Sequence, residues 1–489
     1  MRHLPLILLA ACGDGANTGT TWQFPDEGPA TTGPGAPAQP FQDAELYTSC
    51  AALDGGPNDP DQHGAATPFD GWLLLPWGST TGGGGLSLFD LSDPCAPVEA
   101  GHAESPALRS TRAIAFALLP DGDHAGRWAV TSAATNAGGG VLFWNLDDSA
   151  APQAQGALTL DGYVGRGQTG LAWAYPWVYA AMGDGRITVI DATDPTAPVA
   201  VRSVRVDDGT LPGEVIAFGT RLLVTADHGA RAALFDLSWP DAPSLLPGSP
   251  FDITDREGTP RAVDGATWLG DKAWFSRAEA GGGPIRYDLA DPLHPAFDDD
   301  LRIPSAGGGA LVYDEGYVFV GGSTRGDVIE AIGPTLYEDG DVTIAGDVRA
   351  FTPYGGVAIL SADGATEDGE ASAVVPWNDV PDQAPPIVLG ASPAEGDATI
   401  AISAIIGVVF NETIEPVTAF EGAVRLFKDD DNTPVRGWLS AQGPHVSYAP
   451  REPLLPHTTY RIEVVAQGLA DPNGNAVTAP FTSRFTTAE

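Results

Sequence analysis

One short turn motif occurs five times along the chain, and this recurrence constrains the fold more than any other feature. "VIDATDPTAPV" spans 189–199, and near copies begin at Leu88 ("LFDLSDPCAPV"), Leu142 ("LFWNLDDSAAP"), Leu234 ("LFDLSWPDAPS") and Ile285 ("IRYDLADPLHP"). The residue before each turn is Asp90, Asn145, Asp191, Asp236 and Asp288, so the spacings are 55, 46, 45 and 52 residues. Periods of this length mark propellers, solenoids or arrays rather than one irregular domain.

The clearest unit contains four strand-like stretches: "LAWAYP" from Leu171, "WVYAAMG" from Trp177, "RITVIDA" from Arg186 and "PVAVRSVRV" from Pro198. Each is short, rich in β-branched or aromatic residues, and bounded by Gly, Pro or Asp. Four antiparallel strands per period describe a propeller blade. In the motif the aliphatic residues end strand three. Asp194-Pro195 and Pro198 then break the ladder, since proline lacks the amide donor, and Asp and Ser/Thr side chains can bond the amides of the turn. The motif therefore reads as a structural hinge and not a catalytic one. Degenerate units starting at Arg112, Ala310 and Val348 raise the count to seven blades, with six as the alternative. A strand from the N-terminal side, near "AELYTSC", is expected to complete the last blade and close the ring, which protects its edges.

Composition supports an all-β fold: 61 Gly and 43 Pro punctuate the 489 residues, and long amphipathic runs are few. The formal charge of -40 repels polyanions, which excludes nucleic acid as an expected partner because that binding needs a basic footprint. An acidic surface otherwise serves solubility.

At the start, Arg2 and His3 precede the apolar run Leu4 to Ala10, which is too short to span a bilayer. Leu9-Ala10-Ala11-Cys12 resembles the lipobox of bacterial lipoproteins. The resemblance implies a signal peptide over 1–11, with Cys12 as the acylated residue that anchors the chain to a lipid bilayer; stable anchoring takes more than one acyl chain. It also implies the cell envelope, with the outer membrane, periplasmic or surface-exposed, as the expected address. Cys50 and Cys95 remain, and in an oxidising compartment they are a candidate disulfide. Residues 12–44, with "GPATTGPGAPAQP", read as a flexible tether. Trp22 and Phe24 interrupt that composition, and nothing in the sequence accounts for them.

The hinge pattern resembles the LVIVD repeat of bacterial and archaeal surface proteins, which implies a β-propeller over 45–380. Asp90 through Pro97 and Asp191 through Pro198 match best, whereas Asn145 and Trp239 depart from the pattern. That family has no established catalytic motif. From 381 to 489 the period is lost, and about seven short strands suggest a sandwich. Phe410-Asn411-Glu412, Leu454-Leu455-Pro456 leading to Thr459-Tyr460, Asp471 with Gly474-Asn475, and Phe485-Thr486-Thr487 make this segment similar to the bacterial Ig-like domain of S-layer and other envelope proteins. The resemblance implies a spacer or display unit.

No zinc spacing, His-Glu-x-x-His helix, phosphate loop or Gly-x-Ser-x-Gly elbow is present, and the eight His are scattered, so no catalytic residue, metal ligand or cofactor is assigned. Calcium appears only in fragments: Asp59, Asp61 and His63 lack a closing Glu, and Asp471, Asn473 and Asn475 lead to Ala476 where a loop wants Gly. In a blade, the loops joining strands two and three share one face with the connections between blades, opposite the hinges. The open face thus collects Asp184, Arg186, Asp227, His228, Arg231, Arg277, Glu279, Arg325 and Asp327 as candidates for a polar ligand at the channel mouth. The expected function is a lipid-anchored binding or scaffolding module for a glycan or envelope protein, not an enzyme. The alternatives are a propeller hydrolase or lyase acting on envelope or extracellular polymers, and a purely structural surface component.

Overall fold

Each hinge is closed by the side chain of the residue preceding it. The amides of Ser92, Thr193, Ser238 and Ala290 donate to Oδ1 of Asp90, Asp191, Asp236 and Asp288 at 2.8–2.9 Å. Asn145 does the same for Asp147 at 3.1 Å, so its departure from Asp costs the turn little. Where Trp239 replaces the second Asp, a backbone bond from Ala242 N to Trp239 O at 2.8 Å suffices. The local bond supplies what the missing ladder partner would have supplied, which explains the recurrence of this residue type.

The structure, a computed structural model, describes residues 22–26, 28, 33–34 and 45–488, apart from 54–60, 80–83, 106–112, 120, 136–137, 149–150, 163–169, 208, 279–280, 305–307, 323–324, 345–346, 364–371 and 379. Seven four-stranded antiparallel units follow in order. Their innermost strands are Thr67–Phe69, Ile114–Leu119, Leu171–Ala174, Pro212–Phe218, Val263–Leu269, Leu311–Asp314 and Asp347–Tyr354. The fold is a seven-bladed propeller followed by an Ig-like sandwich, all-β as expected; among the described residues the one helical turn is Pro416–Thr418.

Second and third strands are buried on both faces, as in Arg186–Asp191, whereas the fourth strands are exposed, as in Val199–Arg205. Acidic residues gather on those outer strands, for example Asp298 to Asp300 and Glu338 to Asp341. Part of the net charge thus sits on open sheet edges, where it opposes edge-to-edge pairing.

Ring closure uses three devices. Ala51–Leu53 pairs with Ser372–Pro376 as the outer strand of blade seven. Asp61–His63 bridges from Trp72–Ser79 of blade one to Asp363 of blade seven, so this stretch is a strand; Asp59 lies outside the described residues. Cys50 and Cys95 are bridged, tying the closing strand to the hinge of blade one. Over a separation of 45 residues, removing the loop freedom of the unfolded chain contributes about 4 kcal/mol in the chain-entropy account.

The sandwich has nine strands rather than about seven. Asp397–Ile400 and Thr433–Val435 are short edges, masked in the sequence by Gly396, Asn432 and Pro434. Leu455 N donates to Tyr460 Oη at 2.8 Å and Tyr460 stacks on Phe485, which accounts for two of the sequence hallmarks. The unit does not stand apart as a spacer. Its strand Gly437–Gln442 adds antiparallel to the inner strand of blade two, with Leu439 opposite Leu118 and Ala441 opposite Phe116. Ser440 Oγ accepts from Tyr175 N (3.1 Å), Ser392 Oγ from Thr220 N (3.2 Å) and Glu415 Oε1 from Asp70 N (2.9 Å). Glu315 N donates to Asn411 O, and Asp121 is held by Arg436 and Arg451 at 2.7 Å. Gly219 needs its missing side chain here: φ is 56°, and a Cβ would fall 2.6 Å from Ser392 Oγ. Blades one to six all meet the unit, which therefore covers the hinge face of the ring.

The expectation of a free tether is corrected in part. Phe24 packs edge-on to Phe427 (5.1 Å), and Arg425 and Arg436 lie over Phe24 and Trp22 (5.7 and 4.9 Å). Aromatic and cation–π contacts hold this segment to the sandwich.

His445 of the sandwich enters the ring beside Phe218, at 5.5 Å between centroids, and is 6% exposed. Burial pushes its pKa down to about 4, against the backbone of Trp268 and Gln442. The unfolded chain thus binds a proton between pH 6.5 and 4 that the folded chain does not, so stability falls as pH drops through that window, by up to about 3 kcal/mol. We expect His445→Gln to remove this acid-dependent loss, read as the pH dependence of the urea midpoint between pH 4 and 7.

Candidate functional site

With the hinge face covered, the face bearing the strand two–three loops is the open one. The structure does not bring the eight described residues of the nine predicted into a single cluster there. Asp184 pairs with Arg186 (Nε to Oδ2, 2.8 Å) within one hairpin. Arg231 pairs with Asp207 (2.7 Å) and Asp252 (3.1 Å). Arg325 is held by Asp327 and Glu338, and burial, outweighing Arg325, pushes Asp327 up to about 6. Glu279 lies outside the described residues.

Two places do gather charge. At the end of the second strand of blade four, His228 Nδ1 lies 2.7 Å from Asp264 Oδ1, and its Nε2 lies 3.9 Å from Asp227 Oδ1. Their ligand atoms fall within 4.8 Å of one another. Asp264, on the inner strand Val263–Leu269, is 5% exposed, whereas His228 is open to solvent at φ 51°. A carboxylate bound to one ring nitrogen orients an imidazole for proton transfer or metal binding. On the neighbouring inner strand, burial pushes Glu214 up to about 7.

The second place is a cavity of about 470 Å³ over blade five. Its walls are the connection from blade four (Asp255, Arg256, Glu257, Thr259, Arg261), the strand two–three loop (Arg277, Gly281) and the end of the fourth strand (Asp300 to Arg302). Arg277 is 3% exposed; it grips Asp300 and donates to Leu301 O at 2.7 Å. Arg256 Nε reaches the other oxygen of Asp300 at 2.6 Å. Asp255 accepts from Thr259 N (2.9 Å) and Arg261 Nε (2.7 Å). Burial would raise the Asp255 carboxyl, but the Thr259 amide and the Arg261 guanidinium outweigh it and hold it below the usual range. Four guanidinium groups thus face three carboxylates in a chain of net charge -40. The arrangement suits a ligand that carries a carboxylate or phosphate.

Sequence reasoning placed Arg277, Asp227 and His228 on this face but missed Asp264 and the rest of the cavity wall. A signal for the wall was present: the repeat spacing grows from 45 to 52 between Asp236 and Asp288, and the extra residues form the connection that carries Asp255 to Arg261. Insertions in repeats map to loops on one face.

Residues 382–487 match the bacterial Ig-like domain. No curated protein matches the chain. Solved structures similar to it include the periplasmic gluconolactonase PpgL of Pseudomonas aeruginosa, at 11% identity and TM-score 0.47 over 59% of this chain and 86% of that one. BamB from Moraxella catarrhalis is similar at 15% identity and TM-score 0.39, over 64% and 84%.

The buried Arg277–Asp300 pair is a scaffold for the cavity. Removing one partner of such a pair leaves a buried charge and costs about 3–5 kcal/mol; Arg256, still on Asp300, holds the loss to the lower end. We expect Arg277→Met to destabilise the chain by about 3 kcal/mol and Arg302→Ala by under ~0.5 kcal/mol, both read by urea unfolding.

Proposed function

We propose that the protein is an envelope binding module that holds an anionic saccharide in the arginine-lined cavity of blade five. The observation that carries this reading is the position of the Ig-like unit: it occupies the hinge face, and the remaining face bears this basic hollow in an otherwise acidic molecule. Arginine suits the task because its planar fork matches a carboxylate and stays charged. The reading includes the anchor at Cys12. Trp22 docks on the sandwich, so the stretch between Cys12 and Trp22 reaches only ~35 Å when extended, which turns the hinge face toward the bilayer and the cavity outward.

The test is calorimetric titration with glucuronate oligomers and with inorganic phosphate. Arg302→Ala is expected to weaken binding at least ~10-fold while leaving the unfolding temperature unchanged. No saturable heat with any probe, or equal affinity in the variant, would refute the ligand class and favour a structural surface component. The anchor is tested apart from it, by metabolic lipid labelling: wild type is expected to incorporate label and Cys12→Ser to lose it, and an unlabelled wild type would sink that part.

A second reading, a hydrolase or lyase on envelope polymers, is favoured by one observation, the 2.7 Å contact between His228 and Asp264. It requires turnover of a bound polymer that His228→Ala abolishes.

A further inference from the structure

Where the sandwich meets blade six, carboxylates from both parts converge. Glu315 lies on the hairpin between strands Leu311–Asp314 and Tyr317–Gly322, Asp382 in the connection, and Glu412 just after strand Ile406–Phe410 of the sandwich. An oxygen from each lies within 4.8 Å of the others. Asp314 and Asp471 stand beside them, and neighbouring carboxylates of this group, Asp382 among them, bear on Asp314, Glu315, Glu412 and Asp471.

Among the described residues no basic side chain forms an ion pair with these carboxylates. Glu412 is 2% exposed, and its Oε1 has no hydrogen-bond partner. Asn473, whose Nδ2 donates to Asp382 Oδ2 at 3.0 Å, presents a second buried oxygen, Oδ1, also without a partner. A buried carboxylate oxygen without donor or cation costs several kcal/mol. The groups respond accordingly: burial, then Asp382, pushes Glu315 up to about 7, and burial with the neighbouring acids drives Glu412 and Asp471 upward.

We propose that Glu315, Asp382 and Glu412 bind a calcium ion that clasps the Ig-like unit to the propeller. The donors are all oxygen, which excludes the nitrogen and sulfur preference of zinc. Magnesium keeps several waters and takes one or two carboxylates, whereas calcium accepts six to eight oxygens in flexible geometry. Asp314 and Asp471, outside that trio, add negative charge around it. This site is independent of the blade-five cavity.

The full chain, stripped with chelator, is titrated with calcium by calorimetry at pH 7.5 and 0.15 M salt, with magnesium as control. One saturable site is expected, with the unfolding temperature rising on calcium addition and magnesium weaker. Asp382→Asn, on the half-buried connection, is expected to weaken calcium at least ~10-fold. Glu412→Gln is expected to abolish the response and, in chelator, to unfold no earlier than wild type, because it relieves the crowding of buried acids there. Absence of heat up to ~5 mM calcium, above the weakest range of extracellular modules, would overturn the proposal, as would unchanged affinity in both variants; protons would then neutralise the cluster.

Discussion

An inner blade edge carries unpaired amides and carbonyls toward the channel, and the strand Gly437–Gln442 uses that edge on blade two. This backbone pairing sets the sandwich over the ring axis and directs the rest. It brings His445 between blades four and five, Glu415 under the Asp70 hairpin and Glu412 beside Glu315. A spacer would have left both faces open; the strand addition leaves one.

Buried polar contacts form part of the interface. Buried acids meet backbone amides on one side, as with Glu415 and Asp70, and meet one another on the other. Such a boundary responds to solution conditions in a way that an aliphatic one would not, because its desolvation cost depends on protonation and counter-ions. Apolar packing supplies the complement: Ile405 and Ala449 of the sandwich join Val215, Ala217 and Leu222 of the ring in one cluster.

The architecture was legible because its cause is local. A hinge that must cap its own amides calls for Asp, Asn or Ser at a fixed offset, and that requirement surfaces as a repeat in the sequence. The closing strand also lay close to where edge protection called for it: Tyr47 and Cys50 bond Pro376 and Val374, and the paired strand begins at Ala51. Long-range docking left no such trace. Leu439 opposite Leu118 is a pairing across 321 positions between two apolar strands, and each reads in isolation as an ordinary core strand. The open-face residues were legible as loop members, but loop membership does not say which neighbour a guanidinium will choose; Arg186 and Arg231 chose acids nearby. Glu412 and Asp471 stood out as hallmarks of the sandwich, while the partner that gives them a shared environment, Glu315, belongs to another domain.

The seated sandwich also changes what kind of object the ring is. With strands Ile406–Phe410, Gly437–Gln442 and His445–Pro450 against the inner strands of blades two to four, the sandwich occupies one end of the ring axis. A filament cannot be threaded along the axis, so any linear polymer is met by its tip or across the rim.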